Sequence, residues 1–216
     1  MTQDARGSSA DGPTPRPDED LIRRMQADDL DAFETFFARH RSSIYRTAYG
    51  LTGDPNAAEE VLQDTFARAY QRRSILRTDM SPLPWLHRVA INLCYSRLGR
   101  RRLFTGPIDD AEAGLVRDIA IEPAERAERR ELRQIVRDGV AALPPKHQTV
   151  VVLYYLNGLS LQETAALLDV RLGTVKSRLH YALRSLRTQL EGDRRFGGAY
   201  GVAPEAVLDA TPDGRS

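Results

Sequence analysis

One cysteine, one tryptophan and 7% aromatic residues deprive this 216-residue chain of several common means of holding a site together. With Cys94 alone there is no disulfide framework and no Cys-x-x-Cys site. His87 is near it in sequence, but nothing adjacent completes a zinc set, so neither a metal nor any cofactor is expected. Cys94 itself reads as a small buried apolar residue. Long hydrophobic runs are missing too. The longest, Val150-Val-Val-Leu-Tyr-Tyr-Leu156, falls far short of the roughly 20 residues that a membrane span requires. The polar, acidic N-terminus lacks a signal-peptide core. These absences point to a cytoplasmic chain with no membrane contact of its own. Nothing pairs a nucleophile with a base, cradles a phosphate with glycines or sets two carboxylates together, so no catalytic residue is expected and the chain reads as no enzyme.

Acid is also missing, but only in places. The formal net charge is +1, from 31 basic and 30 acidic residues, yet Met80 to Ile108 and Val170 to Leu190 contain no Asp or Glu. The first stretch carries Arg88, Arg97, Arg100, Arg101 and Arg102, and the second carries Arg171, Lys176, Arg178, Arg184 and Arg187. Between them lie Asp109, Asp110, Glu112, Asp118, Glu122, Glu125, Glu128 and Glu131. Two basic surfaces with an acidic connector suggest a polyanion gripped in two places.

The apolar pattern is helical almost throughout, and the class is all-α. Two small helical domains joined by a flexible acidic linker are expected, with a helix-turn-helix in the C-terminal one. The expected divisions are a disordered tail at 1–19, a helical domain at 20–105, a linker at 106–122, a second helical domain at 123–190 and a flexible tail at 191–216. In the first domain a short helix holds Leu21, Ile22 and Met25, and a longer one runs from Ala32 to Leu51. Thr52-Gly-Asp-Pro55 breaks the chain before a third helix from Ala57 to about Ser74. Thr78 to Pro84 is a loop, and a fourth helix starts near Trp85, whose own phase favours the core. In the second domain Pro123 opens a charged helix that Leu143-Pro-Pro145 ends. His147 to Leu156 forms the next.

Residues 160–187 read as two short helices joined by a tight turn. Leu161, Ala165 and Leu168 recur at helical spacing on the first, and Val175, Leu179 and Leu183 on the second. Asp169 tolerates the left-handed backbone that ends a helix, and Val170 can fill the gap between the two. Thr174, Lys176, Ser177, Arg178 and Tyr181 point outward, with His180 alongside. Donors in that array can reach phosphates and base edges from a helix lying in a major groove.

Four stretches carry a more specific resemblance: Tyr49-Gly-Leu-Thr-Gly-Asp-Pro55, Ala57-Ala-Glu-Glu-Val-Leu-Gln-Asp-Thr-Phe66, Trp85-Leu-His-Arg-Val-Ala-Ile-Asn-Leu93 with its arginine tail, and Leu143-Pro-Pro145 through Gly173-Thr-Val-Lys-Ser-Arg-Leu179. Over about residues 20–190 the chain resembles the small, two-domain extracytoplasmic-function (ECF) sigma factors of the sigma-70 family of bacterial RNA polymerase. The resemblance implies a dissociable subunit that binds core RNA polymerase and directs promoter recognition and strand opening. It implies polymerase binding through Val61, Gln63, Asp64, Thr65 and Arg68. The minus-ten promoter element would be contacted by Arg88, Asn92, Ser96, Arg97, Arg100, Arg101 and Arg102. The minus-thirty-five element would be read by Arg171, Thr174, Lys176, Ser177, Arg178, His180 and Tyr181. Core RNA polymerase, promoter DNA and an anti-sigma factor are the implied partners.

The chain departs from the family in three places, one of them Asp169, which replaces a frequent Gly in the turn. Ser96 stands where Asp is frequent, and Met80-Ser-Pro-Leu-Pro84 lacks the usual loop aromatic. The alternative function is an autonomous helix-turn-helix regulator that binds DNA without polymerase. A simple repressor would not need the second basic stretch beside a docking helix.

Overall fold

A computed structural model describes residues 18–101 and 123–192, with side chains at 18–97 and 132–191. The expected N-terminal tail, apart from Asp18 and Glu19, lies outside the described residues. So do the linker at 106–122, Arg102, the tail beyond Gly192 and the side chains of Arg100 and Arg101. The described residues form helices and no strand: α1 (Glu19–Gln26), α2 (Leu30–Thr52), α3 (Pro55–Gln71), α4 (Leu83–Arg101), α5 (Pro123–Ala141), α6 (Pro145–Val151), α7 (Leu161–Leu168) and α8 (Leu172–Gly192).

The breaks follow from local chemistry. Asp29 caps α2 by accepting from the Ala32 N–H at 3.1 Å. That helix ends at Gly53, whose φ of +68° is the left-handed conformation glycine adopts without a Cβ clash. Asp54 then accepts from Asn56 and Ala57, and Pro55 opens α3 where its missing N–H costs nothing. The helix expected to start near Trp85 begins at Leu83, with Pro84 in its first turn. Its missing N–H is again one that a helix start leaves unpaired, so proline did not need to remain in the loop.

Helices α1 to α4 enclose Ile22, Met25, Phe36, Ile44, Leu62, Phe66, Leu86 and Cys94, all buried. Phe66 meets Phe36 and Phe37 edge to face, and Trp85 packs half-buried against the same core. Burial pushes the Cys94 thiol up to about 12, which leaves it protonated and unreactive.

In the second half Val150, Ala165 and Val175 form the centre of the helix-turn-helix, ringed by Leu161, Leu168, Val170 and Leu179. Asp169 takes the left-handed turn position at φ 55°. The second helix is not short. Leu186 and Leu190 continue its apolar stripe, and α8 runs on to Gly192. Ser160 and Glu163 form a reciprocal capping box at the start of α7, at 3.1 and 2.7 Å. Ser160→Ala should lower stability by about 1 kcal/mol in urea unfolding. An unchanged midpoint would show that water replaces the cap.

The helix expected over His147–Leu156 is α-helical only to Val151 and then widens into a π turn, Val152–Leu156. Asn157 explains the widening: its backbone N–H and its side-chain amide both donate to the Val152 carbonyl, at 3.1 and 3.2 Å. The two halves do not stand apart. Val152, Leu153 and Leu167 belong to the same buried cluster as the core of α1 to α4.

Candidate nucleic-acid interface

Helix α8 is fixed from beneath and open above. Val175 is fully buried, so the turn of helix that carries it cannot rotate. Arg171, Lys176, Ser177, His180 and Tyr181 are then exposed, while Thr174 and Arg178 are half-buried. The Ser177 hydroxyl donates to the Thr174 carbonyl at 3.0 Å, leaving its oxygen free to accept. His180 meets the Tyr181 ring at 5.6 Å edge-on, and His147 of α6 lies near-parallel to it at 6.4 Å. Tyr181 is 56% exposed, a flat apolar face within a basic surface. All seven residues expected here are therefore exposed or half-buried.

The residues expected on α4 are less uniform. Asn92 and Ser96 are exposed. Arg88 is turned toward the other half of the molecule, its Nε and Nη2 donating to the Leu167 carbonyl at 3.2 and 2.9 Å. That carbonyl is one of the last of α7, where a cation also meets the negative end of the helix. Arg97 pairs with Asp64 at 2.8 Å and with Glu60, both on α3. A residue expected on DNA and one expected on polymerase thus hold each other.

The loop before α4 is anchored at its base. Gln26 donates to the Arg73 and Leu76 carbonyls at 3.1 and 3.0 Å, and Arg73 lies over the Tyr70 ring. Ile75 and Met80 stand 65% and 48% exposed around it. Large apolar side chains held in water on a fixed loop suit contact with unstacked bases. Met80 lies in the stretch expected to lack the usual loop aromatic, and Ile75 was not among the expected site residues. The signal available was an apolar residue outside the helical period of α3.

On α3 the docking set must be narrowed. Val61 and Thr65 are both 0% exposed, and the Thr65 hydroxyl donates to the Val61 carbonyl at 2.7 Å. They share the inner face with Ala58, Leu62 and Ala69, so they support the helix without offering a surface. Gln63 and Arg68 are exposed and Asp64 is half-exposed.

Among the described residues, no helix is long and apolar enough to cross a membrane, and no group of three or more His, Cys, Asp or Glu side chains could hold a metal ion.

Comparison with known proteins agrees with this layout. The family model for sigma-70 region 2 matches residues 36–104, and that for sigma-70 region 4 matches 139–188. The ECF RNA polymerase sigma factor SigW of Bacillus subtilis is 31% identical over 178 residues, covering 78% of this chain and 94% of that protein. The solved structure of CnrH in complex with the cytosolic domain of CnrY aligns with a TM-score of 0.62 at 24% identity, covering 82% of this chain and 99% of that one. The sigma factor RpoE in complex with the anti-sigma factor NepR from Bartonella quintana aligns at 0.59 and 20%, covering 75% and 98%. These two structures share the fold. With sigma-70 region models matching both halves and a 31% identical relative covered over 94% of its length, the chain belongs to the ECF sigma factors of bacterial RNA polymerase.

Proposed function

We propose a division of labour within this sigma factor, in which one helix serves core polymerase and two serve separate elements of promoter DNA. Exposed Gln63, Asp64 and Arg68 on α3 dock on core polymerase, where a carboxylate, an amide and a cation can pair with a charged helix. Asn92, Ser96 and the arginines of α4, with the loop bearing Met80, engage the minus-ten element and hold it open. Opening a duplex costs a few kcal/mol, repaid by stacking and by hydrogen bonds to base edges. The exposed side of α8 reads the minus-thirty-five element in the major groove. The observation that supports this most directly is the pair of acid-free basic stretches, one on each half, with the α3 face open beside the first.

An anti-sigma factor is the expected inhibitor, by analogy with the RpoE–NepR complex. The acidic segment 106–122 suits a basic channel of polymerase. The chain has no catalytic step of its own and acts in the cytoplasm, where polymerase is.

Permanganate footprinting of promoter DNA with core polymerase, with and without the chain, tests the reading. Opening and run-off transcripts should appear only when both are present. Tight specific binding by the chain alone, with no opening when polymerase is added, would instead make it an autonomous regulator. Asp64→Ala should weaken association with core polymerase several-fold, by about 1 kcal/mol, with no change in base preference. Unchanged association, or a shift in promoter choice, would remove Asp64 from the docking face.

A further inference from the structure

We propose that Tyr181 reads the methyl group of one thymine in the upstream promoter element, and that His147, one helix before the helix-turn-helix, is the positioning residue that holds its ring for this. The inference deepens the assignment of α8 to the minus-thirty-five element made above and rests on it.

Helical phase places Tyr181 among the reading residues. Thr174, Ser177, Arg178 and Tyr181 fall at i, i+3, i+4 and i+7, which is one stripe of a helix. Val175, Ala182 and Leu186 form a separate stripe, buried against α6 and α7. Ala182 is fully buried, so the turn that carries Tyr181 is as fixed in rotation as the one that carries Val175.

Thr174, Ser177 and Arg178 can all hydrogen-bond to base edges or phosphates. Tyr181 brings a different chemistry. Among the described residues of α8 it is the only large apolar side chain left exposed. The major-groove edges of the bases offer many donors and acceptors but one apolar feature, the C5-methyl group of thymine. A ring exposed on the reading stripe therefore has one base-edge partner that covers it without stranding a polar group. Tyr181 follows Arg178 by three residues, about 4.5 Å along the helix axis, against about 3.4 Å for one base step. Its thymine accordingly lies within about two steps of the pair that Arg178 reads.

An exposed tyrosine on its own would exchange among rotamers. Here rings from two helices restrict it. His180, on α8 itself, meets it edge-on at 5.6 Å, and His147 lies near-parallel at 6.4 Å, both within the range over which aromatic rings attract. His147 is the better anchored of the two, being half-buried where His180 is exposed. Pro145 opens α6, and the His147 N–H donates to the Pro144 carbonyl at 2.8 Å. Gln148, Thr149 and Val150, which follow, are all buried, so α6 cannot turn His147 away. His147 stands outside the residues expected on DNA and acts through the Tyr181 ring.

The test uses holoenzyme reconstituted from core polymerase and the full-length chain. Upstream elements selected by the wild type from a randomised library should carry an invariant thymine within about two steps of the pair whose preference Arg178→Ala erases. Replacing that thymine by deoxyuridine removes only the methyl group, and run-off transcription at limiting holoenzyme should fall about fourfold, the worth of one apolar carbon taken from water. Tyr181→Ala should transcribe both templates equally, while Tyr181→Phe keeps the ring and should keep the preference. His147→Ala should reduce the ratio to about twofold or less, and His147→Phe, which restores a ring, should restore it. A merely structural role for His147 would lower transcription from both templates alike and leave their ratio unchanged. No selected thymine in that window would overturn the inference, as would a uracil effect that persists in Tyr181→Ala. A ratio undiminished in His147→Ala would remove His147 from the role. A loss in Tyr181→Phe shared by every template, with no uracil effect in the wild type, would put the hydroxyl on a phosphate and overturn the methyl contact. If the library returned no upstream preference at all, the assignment of α8 itself would fail.

Discussion

Arg178→Ala should erase discrimination at one base pair of the upstream promoter element, by about 1–3 kcal/mol or roughly 5- to 160-fold between the best base and its rivals. Arg178 lies between the buried wall of α8 and its exposed side, half-covered, with Lys176 and Ser177 open to solvent beside it. A guanidinium restricted at its stem presents a planar fork in a fixed direction, and a fork matches the two acceptors on a guanine edge. Lysine in its place keeps the charge but not the fork, so Arg178→Lys should fail to restore the preference. Lys176→Ala should behave differently, weakening all templates alike and reducing the salt slope by about 1. Transcription by the reconstituted holoenzyme from single-substitution promoter libraries reads both effects. If Arg178→Ala lowered every promoter equally, α8 would be gripping phosphate at that point and the base contact would belong elsewhere.

The parts of this molecule that depend on neighbours in sequence were open to reading, and those that depend on neighbours in space were not. Gly53, Asp54 and Pro55 announce a break because each has a local conformational reason to be there. Asp169 in the left-handed turn is the same kind of inference. The inner face of the helix-turn-helix follows from spacing alone, as Val175 and Ala165 show. Some information was present but unused. Val61 and Thr65 lie four apart on the buried side of α3, and Leu186 and Leu190 extend the stripe of α8, so helical phase alone would have moved the first pair inward and lengthened the second helix.

The contacts between the two halves are another matter. Ser43 and Asn157 are separated by 114 positions, and Thr47 and His87 by 40. Each is a polar residue that, on its own helix, looks like solvated surface or an isolated exception in a core. Only their convergence gives them a role. The π turn is equally hidden, since it arises from Asn157 reaching back to one carbonyl and not from any composition in residues 152–156. The pairing of Arg97 with Asp64 and Glu60 likewise needs α3 and α4 side by side. Basic residues announce themselves as available for phosphate, and nothing in their own segment says that the free chain already uses them.

Stability should fall by about 3 kcal/mol as the pH drops from about 6.5 to about 4, and His87 should account for most of that loss. Its ring is 1% exposed, and burial pushes its pKa down to about 4, with Arg46 and His40 adding smaller repulsions. The native state therefore holds His87 neutral over a range where the unfolded chain binds a proton. Stability is complete above the unfolded value and declines as the pH falls through that window, because the unfolded state gains the proton first. Geometry gives the same sign. Nδ1 serves as an acceptor for Thr47, and a proton there sets a donor against a hydroxyl that is already accepting from Asn157. His40, also lowered by burial, titrates in the same direction and remains in any His87 variant. Asp29 and Glu163, held below the usual carboxylate range by backbone N–H groups, lose their contribution only at pH below about 4. His87→Gln keeps a donor and an acceptor but cannot titrate, so urea midpoints measured across this range should fall much less for the variant than for the wild type, the remaining slope being that of His40. Parallel slopes in the two proteins would place the proton uptake at His40 or in the unfolded chain and remove His87 as its source.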